Sequence, residues 1–448
     1  MQLITTRRRL LRNIIATGVA PLIVPRHVIA GSGQTPPSEK LATAHIGVGG
    51  QGGGNLGEMA TFKEVQVVAL CDVDTDKLAD AAKRHPDAKT HRDWRRMLDT
   101  QKDFDAVVIS TPDHHHAPAA LTAMNLGKHA YVEKPLAHSI QEARLMAETA
   151  ARKKVVTQMG NGGHAGEGLR LWKEYYDGGV IGTIKEVHVW SDRPGNWWKT
   201  QGKPRPEGMP PVPANVDWDL WIGPAPMRPY HGDYHPMQWR GFWDFGCGAL
   251  GDMAVHNADP AFYALDLGAP DWVDAETSPS NNDSFPLWSI VTWHFPAKGT
   301  RPAVTMKWYD GGKLPQNITG LGADRNIGDN GLILLGDKGG LLGGSHAGNP
   351  SIFPLSLHAT TKYPPKSIPR SPGHRIEWVR AAIAGKPEES KSGFWYSAPF
   401  TEALLVGLLA VRFQKRIEWD SAAMKAKNCP EADAIIRKAY RDGWKLPV

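Results

Sequence analysis

Cysteine is nearly missing from this chain of 448 residues: only Cys71, Cys247 and Cys429 occur. So odd and sparse a set makes no disulfide framework and suits a protein that folds in a reducing compartment. Acidic residues are missing from residues 1–30, which carry Arg7, Arg8, Arg9, Arg12 and Arg26. Without those five arginines the formal net charge falls from +6 to +1. A nearly neutral remainder with no basic stripe excludes a nucleic-acid partner. Past the N-terminal segment no other long apolar run, repeat or low-complexity stretch stands out, so neither a stable membrane anchor nor a repeat fold is expected. The apolar share of 41% and charged share of 22% are those of an ordinary globular protein, long enough for two cores.

What the N-terminus holds is "TTRRRLLRN", residues 5–13, followed by the apolar "IIATGVAPLIV". Arg7 and Arg8 after Thr6, then Leu10, Leu11 and Arg12, form the pattern of a twin-arginine export signal. The apolar run is too short to span a bilayer, and Pro21 and Pro25 interrupt it. Small residues in "VIA" put cleavage after Ala30, and no cysteine lies near for lipid attachment. The expectation is a leader over residues 1–30 read by an export translocase, a linker over 31–41, and a periplasmic mature protein. The twin-arginine route carries proteins already folded, usually around a cofactor.

From Ala42 short β runs alternate with helical stretches: "ATAHIGV", "VQVVALCD", "DAVVIST", "HAYVE" and "VVTQM" are separated by segments of helical spacing. Near-continuous apolar strands in that alternation predict an α/β fold, a doubly wound parallel sheet of Rossmann type over residues 42–160. At the first strand-to-helix junction Gly47, Gly49 and Gly52 fit G-x-G-x-x-G, the glycines a tight turn and a close pyrophosphate require. The second strand ends in Asp72, placed to accept from the adenosine ribose hydroxyls and to repel a 2′-phosphate, with Asp74 adding to the repulsion. The cofactor predicted is NAD rather than NADP. The triplet His114–His115–His116 invites a metal reading, but adjacent loop side chains diverge and no second cluster has ligand spacing with it, so no metal is predicted.

"STPDHHHAPAALTAMNLGKHAYVEKPLAHS" resembles the Gfo/Idh/MocA oxidoreductases, the family of glucose–fructose oxidoreductase and inositol dehydrogenase. The resemblance rests on Thr111, Pro112, Asp113 and His116, then Gly127, Lys128 and His129, then Glu133, Lys134 and Pro135. "GALGDMAVHNAD", with Asp252 and His256, is a further match about 120 residues on. It implies a second, α+β domain over residues 161–448 built on a large open, mainly antiparallel sheet, and association into dimers or tetramers through that sheet. The runs "TIKEVHVWS", "LWSIVTWHF", "AVTMKWYD" and "GLILLGDKGGLLGG" agree with such strands. The resemblance assigns Thr111, Pro112, His116, Glu133 and Lys134 to the cofactor side. It also makes His256 the acid/base and Lys134 the donor to the reacting oxygen, with Asp252 as supporting carboxylate. Histidine suits a hydroxyl proton near neutrality, and residues four apart on a helix share a face, so Asp252 is expected to orient His256 or tune its basicity.

Eight of the seventeen tryptophans fall between Trp172 and Trp243, interleaved with Arg, His, Asp and Asn in Pro/Gly-rich loops. Most are core, yet that mixture also suits a sugar, whose C–H faces stack on indole. Trp197 and Trp239 are the predicted sugar contacts, with His164 from "GNGGHAGEG" as a third. A nicotinamide enzyme outside the cytoplasm must keep its dinucleotide tightly bound and reset it in place. Two chemistries do so: exchange of a hydride between a sugar and a second carbonyl compound, or a redox-neutral cycle of oxidation, elimination and reduction at a glycoside. A sugar-binding protein without catalysis is the remaining class, and the intact set of Gly47, Gly49, Gly52, Asp72, Lys134, Asp252 and His256 argues against it.

Overall fold

Strands buried on both faces carry no polar side to alternate, and the central strands of the first sheet are of that kind. The computed structural model describes residues 39–448 except 323 and 324, so the assigned leader and nearly all of the linker lie outside the described residues. Six parallel strands, β1 (Leu41–Ile46), β2 (Val65–Cys71), β3 (Lys89–His91), β4 (Ala106–Ile109), β5 (His129–Val132) and β6 (Thr157–Met159), run in the order β3-β2-β1-β4-β5-β6. Every residue of β4 is buried. The order reverses between β1 and β4, and the crevice past their C-terminal ends is where such sheets bind ligands.

Local chemistry starts the helices. Asp74 accepts from the backbone N–H of Asp76 at 2.9 Å and caps the helix Thr75–Arg84. Ser139 and Glu142 form a reciprocal capping box at the head of Ile140–Lys153.

The second sheet has nine strands: β7 (Ile184–Trp190), β8 (Trp272–Thr277), β9 (Ser289–Phe295), β10 (Val304–Tyr309), β11 (Gly331–Gly336), β12 (Gly340–Gly344), β13 (Ser351–Phe353), β14 (Ile417–Asp420) and β15 (Lys425–Ala426). Their order is β13-β12-β11-β7-β10-β9-β8-β14-β15, antiparallel except for the β7–β10 pair. The large, mainly antiparallel sheet is therefore present. β9 alternates: Val291, Trp293 and Phe295 are buried, while Ile290, Thr292 and His294 are half-exposed.

The helix Phe394–Phe413 packs against β8, β9 and Ile140–Lys153, and the Trp293 indole donates to its Ala403 carbonyl at 2.9 Å. Among the described residues it is the helix long and apolar enough to cross a membrane, yet 83% of its apolar window is buried within the protein. It corrects the expectation of no further long apolar run, because Ser397, Pro399, Thr401 and Glu402 break the run in sequence but not the buried helix. The helix His374–Ala384 returns to the first sheet, where Trp378 is buried against Tyr131 with ring centroids 5.6 Å apart.

Candidate functional site

Gly47 has φ +79°, and a Cβ there would lie 2.7 Å from the Ser110 carbonyl oxygen. A Cβ on Gly52 would lie 2.0 Å from the Gly47 oxygen. The loop thus presses its backbone against the end of β4 and leaves no room for side chains there. Asp72 holds this loop: its Oδ2 accepts from Val48 N–H at 2.8 Å and its Oδ1 from Asp74 N–H at 3.0 Å. Burial pushes the Asp72 carboxyl above its ordinary value, opposed by those backbone donors. Asp74 Oδ1 also accepts from Asn215 at 2.9 Å, so the side chain expected to repel a phosphate is occupied as a cap.

A cavity of about 890 Å³ runs from this loop to the second domain. Gly47, Gly49, Asp72, Thr111, Pro112, Glu133 and Lys134 line it together with Asp252, His256, Trp197 and Trp239. Gly52, His116 and His164 do not. The glycine loop, bare of side chains and facing this space, fits a dinucleotide pyrophosphate.

At the far end, Lys134 follows β5 and Asp252 and His256 lie on the helix Gly248–Asn257. Lys134 Nζ donates to Asp252 Oδ1 at 2.8 Å and to the Asp252 carbonyl at 3.1 Å, which leaves one of its three protons for the cavity. Arg240 Nε is 3.5 Å and Arg193 Nε 3.9 Å from the same carboxylate. Burial alone would raise the Asp252 carboxyl, but Lys134 and Arg240 outweigh it and hold the group well below the usual carboxylate range. Burial, with Lys134 and His346 alongside, holds His256 neutral, and its Nδ1 is buried without a partner. Of the two expected roles of Asp252 toward His256, orientation is corrected, because the carboxylate turns to three cations, whereas its charge does raise the basicity of His256 against the larger effect of burial.

Two further expectations are corrected. His116 is buried, with Nδ1 2.8 Å from the Pro135 carbonyl and Nε2 2.9 Å from the Thr111 carbonyl; the neutral ring donates to one of them, and it sits between the two loops instead of facing a cofactor. Its basicity falls to about 4, chiefly through burial. His164 is buried behind the site, with Nδ1 3.0 Å from Asp259 and its ring against Tyr396 and Tyr263, away from any sugar in the cavity. The rest of the triplet is equally engaged: His114 meets the Phe245 and Trp221 carbonyls, and His115 the Trp221 carbonyl and the Trp94 indole N–H. Trp197 stacks under the Arg193 guanidinium at 3.8 Å and Trp239 under Arg240 at 4.3 Å.

Sequence reasoning assigned no site role to Arg193 and Arg240, nor to four further residues of the cavity lining. His346, between β12 and β13, stacks on His256 with centroids 4.0 Å apart. Its tautomer follows from its neighbours: Asn257 Nδ2 donates to the Trp190 carbonyl, so Asn257 Oδ1 accepts the Ser345 hydroxyl proton at 2.7 Å. That hydroxyl must then accept from His346 Nδ1–H, 2.7 Å away, which leaves Nε2 with its lone pair. His346 and Ala347 both adopt positive φ, 56° and 55°, a costly placement that holds the ring over the site. Asp113 accepts from Cys247 N–H at 3.0 Å, just before the helix of Asp252 and His256, and burial pushes its carboxyl up to about 7. Arg375 donates to Asn55 Oδ1 at 2.9 and 2.7 Å, and Asn55 donates to Glu133 at 2.8 Å. Trp444, from the C-terminal end, is the fourth. The glycine-rich "GGSHAG" was the one available signal for His346; Arg375 and Trp444 had none.

Residues 41–161 match the profile of the Gfo/Idh/MocA oxidoreductase family's NAD-binding Rossmann fold, and residues 169–305 match that family's C-terminal alpha/beta domain. Levoglucosan dehydrogenase of Pseudarthrobacter phenanthrenivorans is 27% identical over 197 residues, 44% of this chain and 42% of that protein. An alpha-N-acetylgalactosaminidase of Shewanella oneidensis is 34% identical over 150 residues, 31% of this chain and 32% of that protein. The chain thus spans less than half the length of these relatives. Among solved structures, the WlbA dehydrogenase of Bordetella pertussis in complex with NADH and UDP-GlcNAcA has a TM-score of 0.59 at 18% identity, covering 85% of this chain and 99% of that one. Levoglucosan dehydrogenase in complex with NADH and levoglucosan gives 0.55 at 18% identity, with coverage of 85% and 99%. At such identities these structures show the shared fold.

Proposed function

We propose that this chain, which carries both domains of the Gfo/Idh/MocA oxidoreductase family, oxidises a CH–OH group of a sugar or glycoside with an NAD that it retains after export. The observation that carries the reading is the Lys134–Asp252 pair at 2.8 Å beside a neutral His256, in one cavity with the glycine loop. Bound there, the nicotinamide would accept the hydride. His256 takes the hydroxyl proton as the C–H bond breaks, and the free proton of Lys134 binds the oxygen as it becomes a carbonyl. Asp252 offsets part of the charge of Lys134, Arg193 and Arg240, and the remaining positive field favours the alkoxide and keeps the imidazoles neutral. Trp197 and Trp239, each backed by an arginine, offer flat faces for the sugar. The paired arginines of the leader support export. The half-exposed face of the nine-stranded sheet, at Thr292, His294, Thr305 and Lys307, is the surface through which copies would associate.

His346 supports a second reading, redox-neutral glycoside cleavage. That route needs a base for a carbon-bound proton, and His346 Nε2 keeps its lone pair beside His256. The C–H bond next to the new carbonyl breaks, its proton passes to Nε2, and the electron pair moves to the oxygen facing Lys134. Return of the pair expels the oxygen substituent one carbon further on, which takes the proton from His346. The same steps in reverse, with water in that substituent's place, restore the alcohol.

One experiment tests both. The mature protein is isolated from the periplasm and a denatured sample is assayed for dinucleotide; near-stoichiometric NAD is expected. Intact protein then meets a panel of sugars and glycosides. Lasting reduced-nicotinamide absorbance supports oxidation, whereas aglycone release without it supports the cycle, and His346→Asn then stops release. A protein that yields no dinucleotide and binds none would falsify the catalytic reading. Arg7→Lys with Arg8→Lys should leave the protein in the cytoplasm.

A further inference from the structure

From Arg437 to the C-terminus the chain forms neither helix nor strand, yet side chains tie it down along its length. Lys438 Nζ pairs with Glu142 at 3.0 Å, and Tyr440 donates its hydroxyl proton to the same oxygen at 2.6 Å. Glu142 is the capping-box residue of Ile140–Lys153, so one carboxylate closes a helix and anchors the tail. Further on, Arg441 reaches the segment around the short helix Trp218–Ile222. Its Nε donates to the Gly223 carbonyl at 2.7 Å, its Nη2 to the Asp219 carbonyl at 2.9 Å, and its Nη1 pairs with the Asp219 carboxylate at 2.8 Å. Trp444 N–H donates to the Arg441 carbonyl at 3.0 Å and Gly443 turns with φ +82°, which brings the indole back onto the first domain.

That indole meets three groups from two elements of the first domain. Its centroid is 5.8 Å from Trp94 and 5.6 Å from His115, and the Arg95 guanidinium lies 4.0 Å over its face. Trp94 and Arg95 begin the helix after β3, and β3 pairs with the end of β2, where Asp72 N–H donates to the His91 carbonyl. Trp444 therefore walls the cavity at its Asp72 end, the ribose and adenine end of a Rossmann crevice.

We infer that residues 438–446 are a strap that holds the dinucleotide in place, with Trp444 as the aromatic wall against the adenine and Arg441 as its anchor. The inference rests on the reading of a retained NAD and names the structural cause of retention. Tethered at Glu142 and Asp219, the indole is held without further ordering when the cofactor enters, so its contact adds to affinity and slows release. Cofactor exit would then require the tail to lift.

The test uses full-length protein carrying its own NAD, with Trp444→Ala, Trp444→Phe and Arg441→Ala variants. Each is diluted into an enzyme that destroys free NAD, and the dinucleotide remaining on the protein is followed in time. Trp444→Ala should release it about tenfold to a hundredfold faster than the parent, the range of losing one base–aromatic stack. Trp444→Phe should restore most of the difference, and Arg441→Ala should fall between. Equal release from the parent and Trp444→Ala overturns the strap. If the parent already releases NAD freely, the retention reading fails by itself; the strap is then judged by titration of stripped protein, where Trp444→Ala must bind NAD at least about tenfold more weakly. A parent that neither carries nor binds NAD overturns both. Melting curves of the stripped variants separate a local loss from a misfolded chain.

Discussion

At the Asp72 end of the cavity, indole, imidazole and backbone walls stand beside the side chains of Lys77 and Arg92, while Asp72 is bonded to two amides and His115 to a carbonyl and an indole N–H. At the Lys134 end three cations crowd one carboxylate, His256 Nδ1 has no partner, and His346 Nε2 keeps a lone pair. The first end offers aromatic walls, already packed on one another, that a flat ring can enter at little cost. The second is kept electrostatically unbalanced, as a site must be if it stabilises charge that appears only during reaction. Under the proposed function, one cavity separates holding from reacting, and substitutions at its two ends should fail in different ways.

The largest expected effect breaks the reacting end alone. His256→Gln should slow sugar oxidation by about 10²–10⁴-fold, the usual worth of a positioned base, with NAD content unchanged. Rapid-mixing absorbance of the reduced nicotinamide checks the rate; loss of NAD along with activity would mean the ends are not separable. Next comes Asp252→Asn, which strands Lys134 among two arginines in a largely buried site and should cost about 3 kcal/mol of stability. Urea melts of stripped protein would show it, and an unchanged midpoint would mean that water screens the cluster.

A smaller effect is pH-dependent. Burial holds the Asp113 carboxyl up at about 7 against a usual 3.8, so the folded chain binds this proton more tightly than the unfolded chain. Its contribution is greatest below the unfolded value and is lost as pH rises through about 7. Asp113→Asn should remove that loss, which amounts to about 2 kcal/mol between roughly pH 5.5 and pH 8. Parallel slopes of stability against pH in parent and variant would contradict the assignment. The smallest effect sharpens the holding end: Arg375→Ala frees Asn55 from its outer support and should weaken NAD binding about threefold to tenfold, measured by titration of stripped protein.

How much of this was legible follows from where each residue sits in the chain. The glycine loop and Asp72 lie 20 residues apart in one βαβ unit, so local spacing alone announced them. Lys134, Asp252 and His256 were legible only through the motif pattern, and their partners were misread. Helical spacing puts Asp252 beside His256, but the cations that claim the carboxylate come from residues 134, 193 and 240. His116 was placed by the family motif and His164 by its glycine-rich segment, neither of which reports burial, and each ring is buried against carbonyls or a carboxylate. The strands β3, β13, β14 and β15, of two to four residues, carried too few residues for any period to show, and in the six-residue β8 only Val273 is buried.

By itself the sequence determined what depends on neighbours along the chain: the β–α alternation of the first sheet, the dinucleotide loop, and the caps of Thr75–Arg84 and Ile140–Lys153. Those features follow from backbone sterics and the periods of 2 and 3.6 residues, which act over a few positions. Only the tertiary structure decided which charges share a carboxylate, which histidines keep a lone pair, and that residues 374–384 and 438–446 return to the first domain. Burial and hydrogen bonding set those outcomes, and both are fixed by contacts between segments hundreds of residues apart.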